Sequence, residues 1–172
     1  HVRSRRQRQM CIRDRALTVL THHFAGSAAA ETALGAFYDR FVDDQLVLDK
    51  WFMLQASAPD AGTLDKVVAL ATHPAFRLAN PNRARALLAG LAGLNPYVFH
   101  RADGAGYRWM ADMLGKLDTL NPQTAARMAT AFRSWRSMEP KRREAAQAAL
   151  SELAGRDGLS RDLADILDRT LR

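Results

Sequence analysis

Three Asn-Pro dipeptides, Asn80-Pro81, Asn95-Pro96 and Asn121-Pro122, constrain this chain more than any other feature. Asn caps an exposed backbone N–H at a helix start, and Pro at the first helical position gives up no hydrogen bond there. Each dipeptide therefore predicts a helix start: one helix from Asn80-Pro81 to about Ala92, a short turn of helix after Asn95-Pro96, and one from Asn121-Pro122 to about Arg133. Glu139-Pro140 opens another to about Leu153, and Ser160 caps a last one ending near Leu171. Ala105–Leu117, after the flexible Asp103-Gly104 step, places Tyr107, Met110, Met113, Leu114 and Leu117 on one helical face.

Upstream, Ala28–Phe41 carries Leu34, Phe37, Tyr38 and Phe41 at three- and four-residue steps. Leu46–Gln55 puts Leu46, Leu48, Trp51, Phe52 and Leu54 on a broad apolar face, so these two helices are predicted to pair as an antiparallel hairpin. Residues 57–62 supply a turn, and Thr63–Thr72 continues as a helix with Leu64, Val67, Val68 and Leu70 buried. No alternating run of β-branched residues interrupts the series, so the fold is predicted to be all-α. A succession of short helices fits stacked antiparallel pairs of the HEAT or armadillo kind, although no sequence repeats at a fixed period.

A chain of 172 residues with 48% hydrophobic residues supports one well-buried core. The net charge of +7 raises the question of a nucleic-acid partner, but six Arg and one Asp fall in residues 1–15. Residues 16–172 then hold 19 cations against 17 anions, and no special attraction to phosphates follows. Residues 1–15 also contain Cys11 and lack helical or strand periodicity. They read better as a non-native or disordered leader than as a basic arm for RNA or lipid headgroups. The run Met10-Cys-Ile-Arg-Asp-Arg15 resembles translated sequencing-adapter sequence, which predicts a truncated reading frame. No stretch of eighteen apolar residues exists to span a membrane. A single cysteine outside the predicted fold excludes an internal disulfide framework and is compatible with a reducing cytoplasm.

Catalytic groups are not legible in this chain. A helical zinc peptidase motif needs His-Glu-x-x-His, which sets two imidazoles on one face and leaves the Glu to activate water. His1, His22, His23, His73 and His100 do not provide that spacing, and the adjacent His22-His23 reads as a solvated segment. There is no Gly-x-Ser-x-Gly elbow, and Gly104-Ala-Gly106 is a turn, not a phosphate loop. No catalytic residue, metal ligand or cofactor site is therefore assigned here. His100 and Tyr107 read as packing and turn-fixing groups, and Trp51, Phe52, Trp109 and Trp135 as packing aromatics. The stretch Lys141-Arg-Arg-Glu144 reads as a solvated helix face. Arg83, Arg85 and Arg127 lie in the first two turns of their helices, where the macrodipole disfavours a cation. Each calls for an anionic partner, either a carboxylate of a neighbouring helix or a ligand.

Asn80-Pro-Asn-Arg-Ala-Arg85, Asn95-Pro-Tyr-Val-Phe-His100, Asp103-Gly-Ala-Gly-Tyr107 and Asn121-Pro-Gln-Thr-Ala-Ala-Arg127 together resemble the carboxy-terminal helical domain of the aminopeptidase N family of M1 zinc metallopeptidases. Asp49-Lys-Trp-Phe-Met-Leu-Gln-Ala56 is similar to that domain's upstream signature, and the resemblance runs from about Leu17 to Arg172. It implies a right-handed superhelix of stacked helix pairs over residues 16–172, cut from a larger cytoplasmic enzyme. The zinc and the catalytic groups would belong to the missing catalytic domain of the same polypeptide, leaving this chain inactive alone. The helical domain would enclose the cavity and control access of peptide substrates, with Arg85 and Arg127 facing the substrate's carboxy-terminal side. Neither nucleic acid nor membrane is an implied partner. The competing readings are a free-standing helical-repeat scaffold for a protein partner and a basic module that binds nucleic acid through residues 1–15.

Overall fold

The computed structural model describes residues 15–172, and its regular structure is helical throughout, with no strand among the described residues. Helix α1 covers residues 15–23. It is followed by α2 (Ala28–Phe41), α3 (Gln45–Ala56), α4 (Thr63–Ala71), α5 (Pro81–Leu94) and α6 (Pro96–Phe99). Next come α7 (Ala105–Asp118), α8 (Pro122–Ala129), α9 (Pro140–Ala154) and α10 (Arg161–Leu171). Two 3-10 turns, Thr130–Phe132 and Trp135–Ser137, join α8 to α9.

The capping chemistry accounts for the helix starts. The Asn80 Oδ1 accepts from the backbone N–H groups of Asn82 at 3.0 Å and Arg83 at 3.3 Å. Asn121 Oδ1 accepts from Thr124 at 3.0 Å, and Asn95 Oδ1 from Val98 at 3.2 Å. Asn95 does more than cap. Its buried Nδ2 donates to the Ala56 carbonyl at 3.1 Å and to that of Ala58 at 2.7 Å, fastening the start of α6 to the end of α3.

Cross-helix contacts fix the direction of the layers. Gln45 and Asp49 at the start of α3 meet Arg83 at the start of α5, while Ala56 at its end lies beside Gly90. Helices α3 and α5 therefore run parallel. The same holds for α7 and α9, where Gly104, the α7 cap, approaches Ala145, and Gly115 approaches Leu153 and Arg156. Helix α4 packs on α3, α8 on α7 and α10 on α9, and α8 and α10 pack together. Stacked helix pairs of the armadillo kind result, around one continuous core that includes Phe52, Leu87, Leu91, Phe99, Met110, Leu114, Phe132 and Leu150.

Two glycines permit the close turn between α6 and α7. Gly104 has φ of 69°, a left-handed conformation that disfavours any side chain. A Cβ on Gly106 would stand 2.5 Å from the Phe99 carbonyl oxygen, so only glycine fits. At the other end of α7, the Asp118 carboxylate accepts from the Ser160 backbone N–H at 2.7 Å and from its hydroxyl. That same hydroxyl caps α10 by accepting from the Leu163 N–H, so the last helix is tied to α7 through its own cap.

Four expectations need correction. The helix opened by Asn121-Pro122 stops at Ala129 and tightens into a 3-10 turn before Arg133. Leu46 is 72% exposed because it shares the outward stripe of α3 with Lys50, not the inward one of Val47, Leu48, Trp51 and Phe52. Val68 is 45% exposed, on the same side of α4 as Asp65. Lastly, His22 is no solvated residue. It lies in α1, a helix that the sequence reading had not placed, half-buried with its Nε2 3.0 Å from the Ser57 hydroxyl. The proposed leader falls on residues 1–15, of which 1–14 lie outside the described residues.

Candidate functional site

Three arginines with similar places in the sequence have different fates in the fold. Arg83 lies on the stripe of α5 that continues through Leu87 and Leu91, and it is 1% exposed. Its Nε donates to Asp49 Oδ1 at 2.6 Å, one Nη to Gln45 Oε1 at 2.9 Å and the other to the Ala75 carbonyl. The guanidinium also sits 5.0 Å from the centre of the Phe52 ring. The internal carboxylate that the helix dipole calls for thus exists, and it belongs to Arg83. Nearby, His73 packs among Tyr38, Trp51 and Phe52. Burial, and then the Arg83 charge, hold its pKa below the ordinary value.

Arg85 and Arg127 behave otherwise. Both are exposed, and neither forms an ion pair or a side-chain hydrogen bond with another described residue. Arg85 is two positions past Arg83 and so turns away from the core, onto the side of α5 that carries Ala89 and Gly93. There it lines a hollow of about 490 Å³ with Asp49, Lys50 and Asn82. Because α8 ends at Ala129, Arg127 stands in its last turn, where the dipole favours a cation instead of calling for an anion as the sequence position predicts; it lines a second hollow of about 380 Å³ with His100, Thr130, Arg133 and Ser134. Ala89 and Gly93 of α5 border both hollows, so the small residues of one helix face form their shared floor.

His100 and Tyr107 fix the wall of the second hollow. The His100 Nδ1 is 2.8 Å from the Tyr107 hydroxyl, and its carbonyl accepts from the Arg142 guanidinium. Burial, and then the Arg142 charge, lower the His100 pKa, which leaves the ring neutral at pH 7. Burial raises that of Tyr107, so the phenol keeps its proton. Packing and turn fixing describe both residues, while Arg142 departs from the solvated face expected of it. No group of three His, Cys, Asp or Glu among the described residues stands together as a metal site. No helix among them is long and apolar enough to cross a membrane.

The sequence reading missed two parts of this arrangement, Arg133 and the small-residue floor. Helical spacing could have separated Arg83 from Arg85, since Leu87 and Leu91 follow Arg83 at four and eight residues whereas Ala89 and Gly93 follow Arg85.

Against known proteins, residues 3–172 match the family model described as a domain of unknown function (DUF3458_C) with ARM repeats. The chain belongs to that family. It is 39% identical over 157 residues to aminopeptidase N of Escherichia coli, an alignment covering 91% of the chain and 18% of that protein. Its identity to aminopeptidase N of Caulobacter vibrioides is 38% over 146 residues, covering 85% of the chain and 17% of the relative. The fold superposes on the crystal structure of Legionella pneumophila aminopeptidase A in complex with aspartic acid with a TM-score of 0.85 and 26% identity. That superposition covers 95% of the chain and 20% of the aminopeptidase A chain. The chain therefore corresponds to the carboxy-terminal ARM-repeat domain of aminopeptidase N and matches less than a fifth of the length of the two aminopeptidase N relatives.

Proposed function

We propose that this domain walls the peptide chamber of a cytoplasmic zinc aminopeptidase and anchors the carboxy-terminal end of short peptides through Arg85 and Arg127. The observation that carries the reading is the contrast within Asn80-Pro-Asn-Arg-Ala-Arg85. Arg83 is consumed by Asp49, Gln45 and Ala75, whereas Arg85 faces a hollow with no ion-pair partner among the described residues. Arg127 faces the adjoining hollow under the same conditions. A planar guanidinium that keeps its charge at all working pH values suits a free carboxylate. Small residues between the two arginines leave room for a peptide backbone to approach α5.

In this reading the zinc, the activated water and the pocket for the first residue reside in the rest of the polypeptide. When bound there, the metal supplies Lewis-acid activation of water and of the scissile carbonyl. The residues of this chain contribute orientation and exclusion: they hold the far end of the substrate and limit access to short or unfolded peptides. The isolated chain is expected to hold no stoichiometric zinc and to leave amino-acid anilides uncleaved, as checked by elemental analysis and a chromogenic assay. One bound zinc per chain with turnover would overturn the division of labour.

A further inference from the structure

The second hollow contains a cation that the sequence motifs do not point to. Arg133 lines it together with Arg127, and no Asp or Glu is among its lining residues. Like Arg127, Arg133 is exposed and makes no ion pair or side-chain hydrogen bond with a described residue. Arg101, Arg142 and Arg156 by contrast meet carboxylates, and Arg77 and Arg108 meet backbone carbonyls; exposed Arg143 and Arg161 also make no ion pair with a described residue, but neither lines this hollow.

The 3-10 turn brings Arg133 to this place. In an unbroken α-helix, six residues advance the side-chain direction to about 120° away from the start. The turn Thr130–Phe132 is closed by the Arg133 N–H donating to the Thr130 carbonyl at 3.1 Å. Three 3-10 steps bring a side chain back over its starting direction. Arg133 is therefore aligned with Thr130 and only about 60° from Arg127. Met128 and Phe132, buried in the core, hold the turn in that register.

We propose that Arg133 is a specificity determinant that gives the enzyme a preference for short peptides ending in Asp or Glu, with a second carboxylate beside the terminal one. This rests on the reading of Arg127 as the contact for the terminal carboxylate. Arg127 takes the main-chain carboxylate and Arg133 takes the side-chain carboxylate. With two unpaired cations and no lining anion, a dianionic peptide end is the ligand that neutralises the hollow.

The test uses the complete aminopeptidase containing this domain and compares kcat/KM for Ala-Ala-Glu and Ala-Ala-Gln. The wild type should prefer the glutamate peptide roughly five-fold, the size of a partly solvated ion pair. Arg133→Gln should remove that preference by raising KM for Ala-Ala-Glu while leaving Ala-Ala-Gln nearly unchanged. Arg127→Gln should weaken both peptides. No preference in the wild type, or equal losses on both peptides in Arg133→Gln, would overturn the proposal. If Arg127→Gln weakens both peptides while Arg133→Gln leaves the ratio intact, the inference about Arg133 fails and the carboxylate reading of Arg127 stands. If Arg127→Gln affects neither peptide, that reading fails.

Discussion

Replacing Arg83 by Met separates a fold-holding arginine from a ligand-facing one two residues away. Met fills similar volume without charge, so the loss is that of the guanidinium and not of packing. Asp49, its side chain only 17% exposed, would lose its cation partner, and Gln45 Oε1 and the Ala75 carbonyl would lose their donor. Breaking a buried pair from one side costs about 3–5 kcal/mol, and the partial exposure of Asp49 favours the lower end. For a chain of this length each kcal/mol shifts the midpoint by about 2–4 °C, so a fall of roughly 6–15 °C is expected. Arg85→Met should stay within about 0.5 kcal/mol of the parent, because an exposed side chain with no partner is removed. Thermal melts followed by circular dichroism on the 172-residue chain measure both. Adding Asp49→Asn to Arg83→Met should cost less than the sum of the single changes, since the stranded carboxylate is gone. Equal shifts for Arg83→Met and Arg85→Met, or strict additivity in the double variant, would refute the reasoning.

Asn95→Ala should cost about 2–4 kcal/mol, against about 1 for Asn121→Ala, because only Asn95 adds two buried bonds to α3 to its capping bond; urea titration of the two variants checks the ratio. Gly106→Ala should destabilise strongly through contact with the Phe99 carbonyl, whereas Gly93→Ala, with nothing within 4 Å of the added Cβ, should raise stability by about 0.5–1 kcal/mol. The same Gly93→Ala change should weaken peptide binding in the complete enzyme, because the methyl group enters the floor of both hollows. His22, His73 and His100 have folded pKa values below the ordinary 6.5, chiefly through burial. Between those values and 6.5 the unfolded chain binds protons that the folded one does not, so stability should rise with pH through that window and level off above it. Melting curves from about pH 5 to pH 8 test this sign, and a midpoint that falls with rising pH would contradict it.

Helix positions were legible because local chemistry sets them. Asn80, Asn95 and Asn121 each cap the helix that the following Pro begins, as read from two adjacent residues. What depends on neighbours was not. Leu46 and Val68 are apolar, yet their helices turn those stripes outward, and only the stacking of α3 on α5 and of α4 on α3 decides which stripe is inward. The second role of Asn95 requires knowing that Ala56, at the end of α3, and Ala58, just past it, lie beside it. At the candidate site, the motifs pointed to Arg85 and Arg127. The carboxylate that satisfies Arg83 comes from 34 residues upstream, a pairing that spacing does not encode. Arg133 was hidden for another reason: its direction depends on a 3-10 turn where the sequence reads as continuing α-helix.

The measurement that bears most directly on the central claim is kcat/KM of the complete enzyme for one short peptide and its carboxy-terminal amide, in the parent, Arg85→Ala and Arg127→Ala proteins. If these arginines meet the peptide carboxylate, each substitution should lower the value for the free acid by roughly ten- to a hundred-fold, the worth of a charge-assisted hydrogen bond. The amide should change by less than about two-fold, and melting midpoints should hold. Equal losses on acid and amide, accompanied by lower midpoints, would instead assign Arg85 and Arg127 to holding the fold.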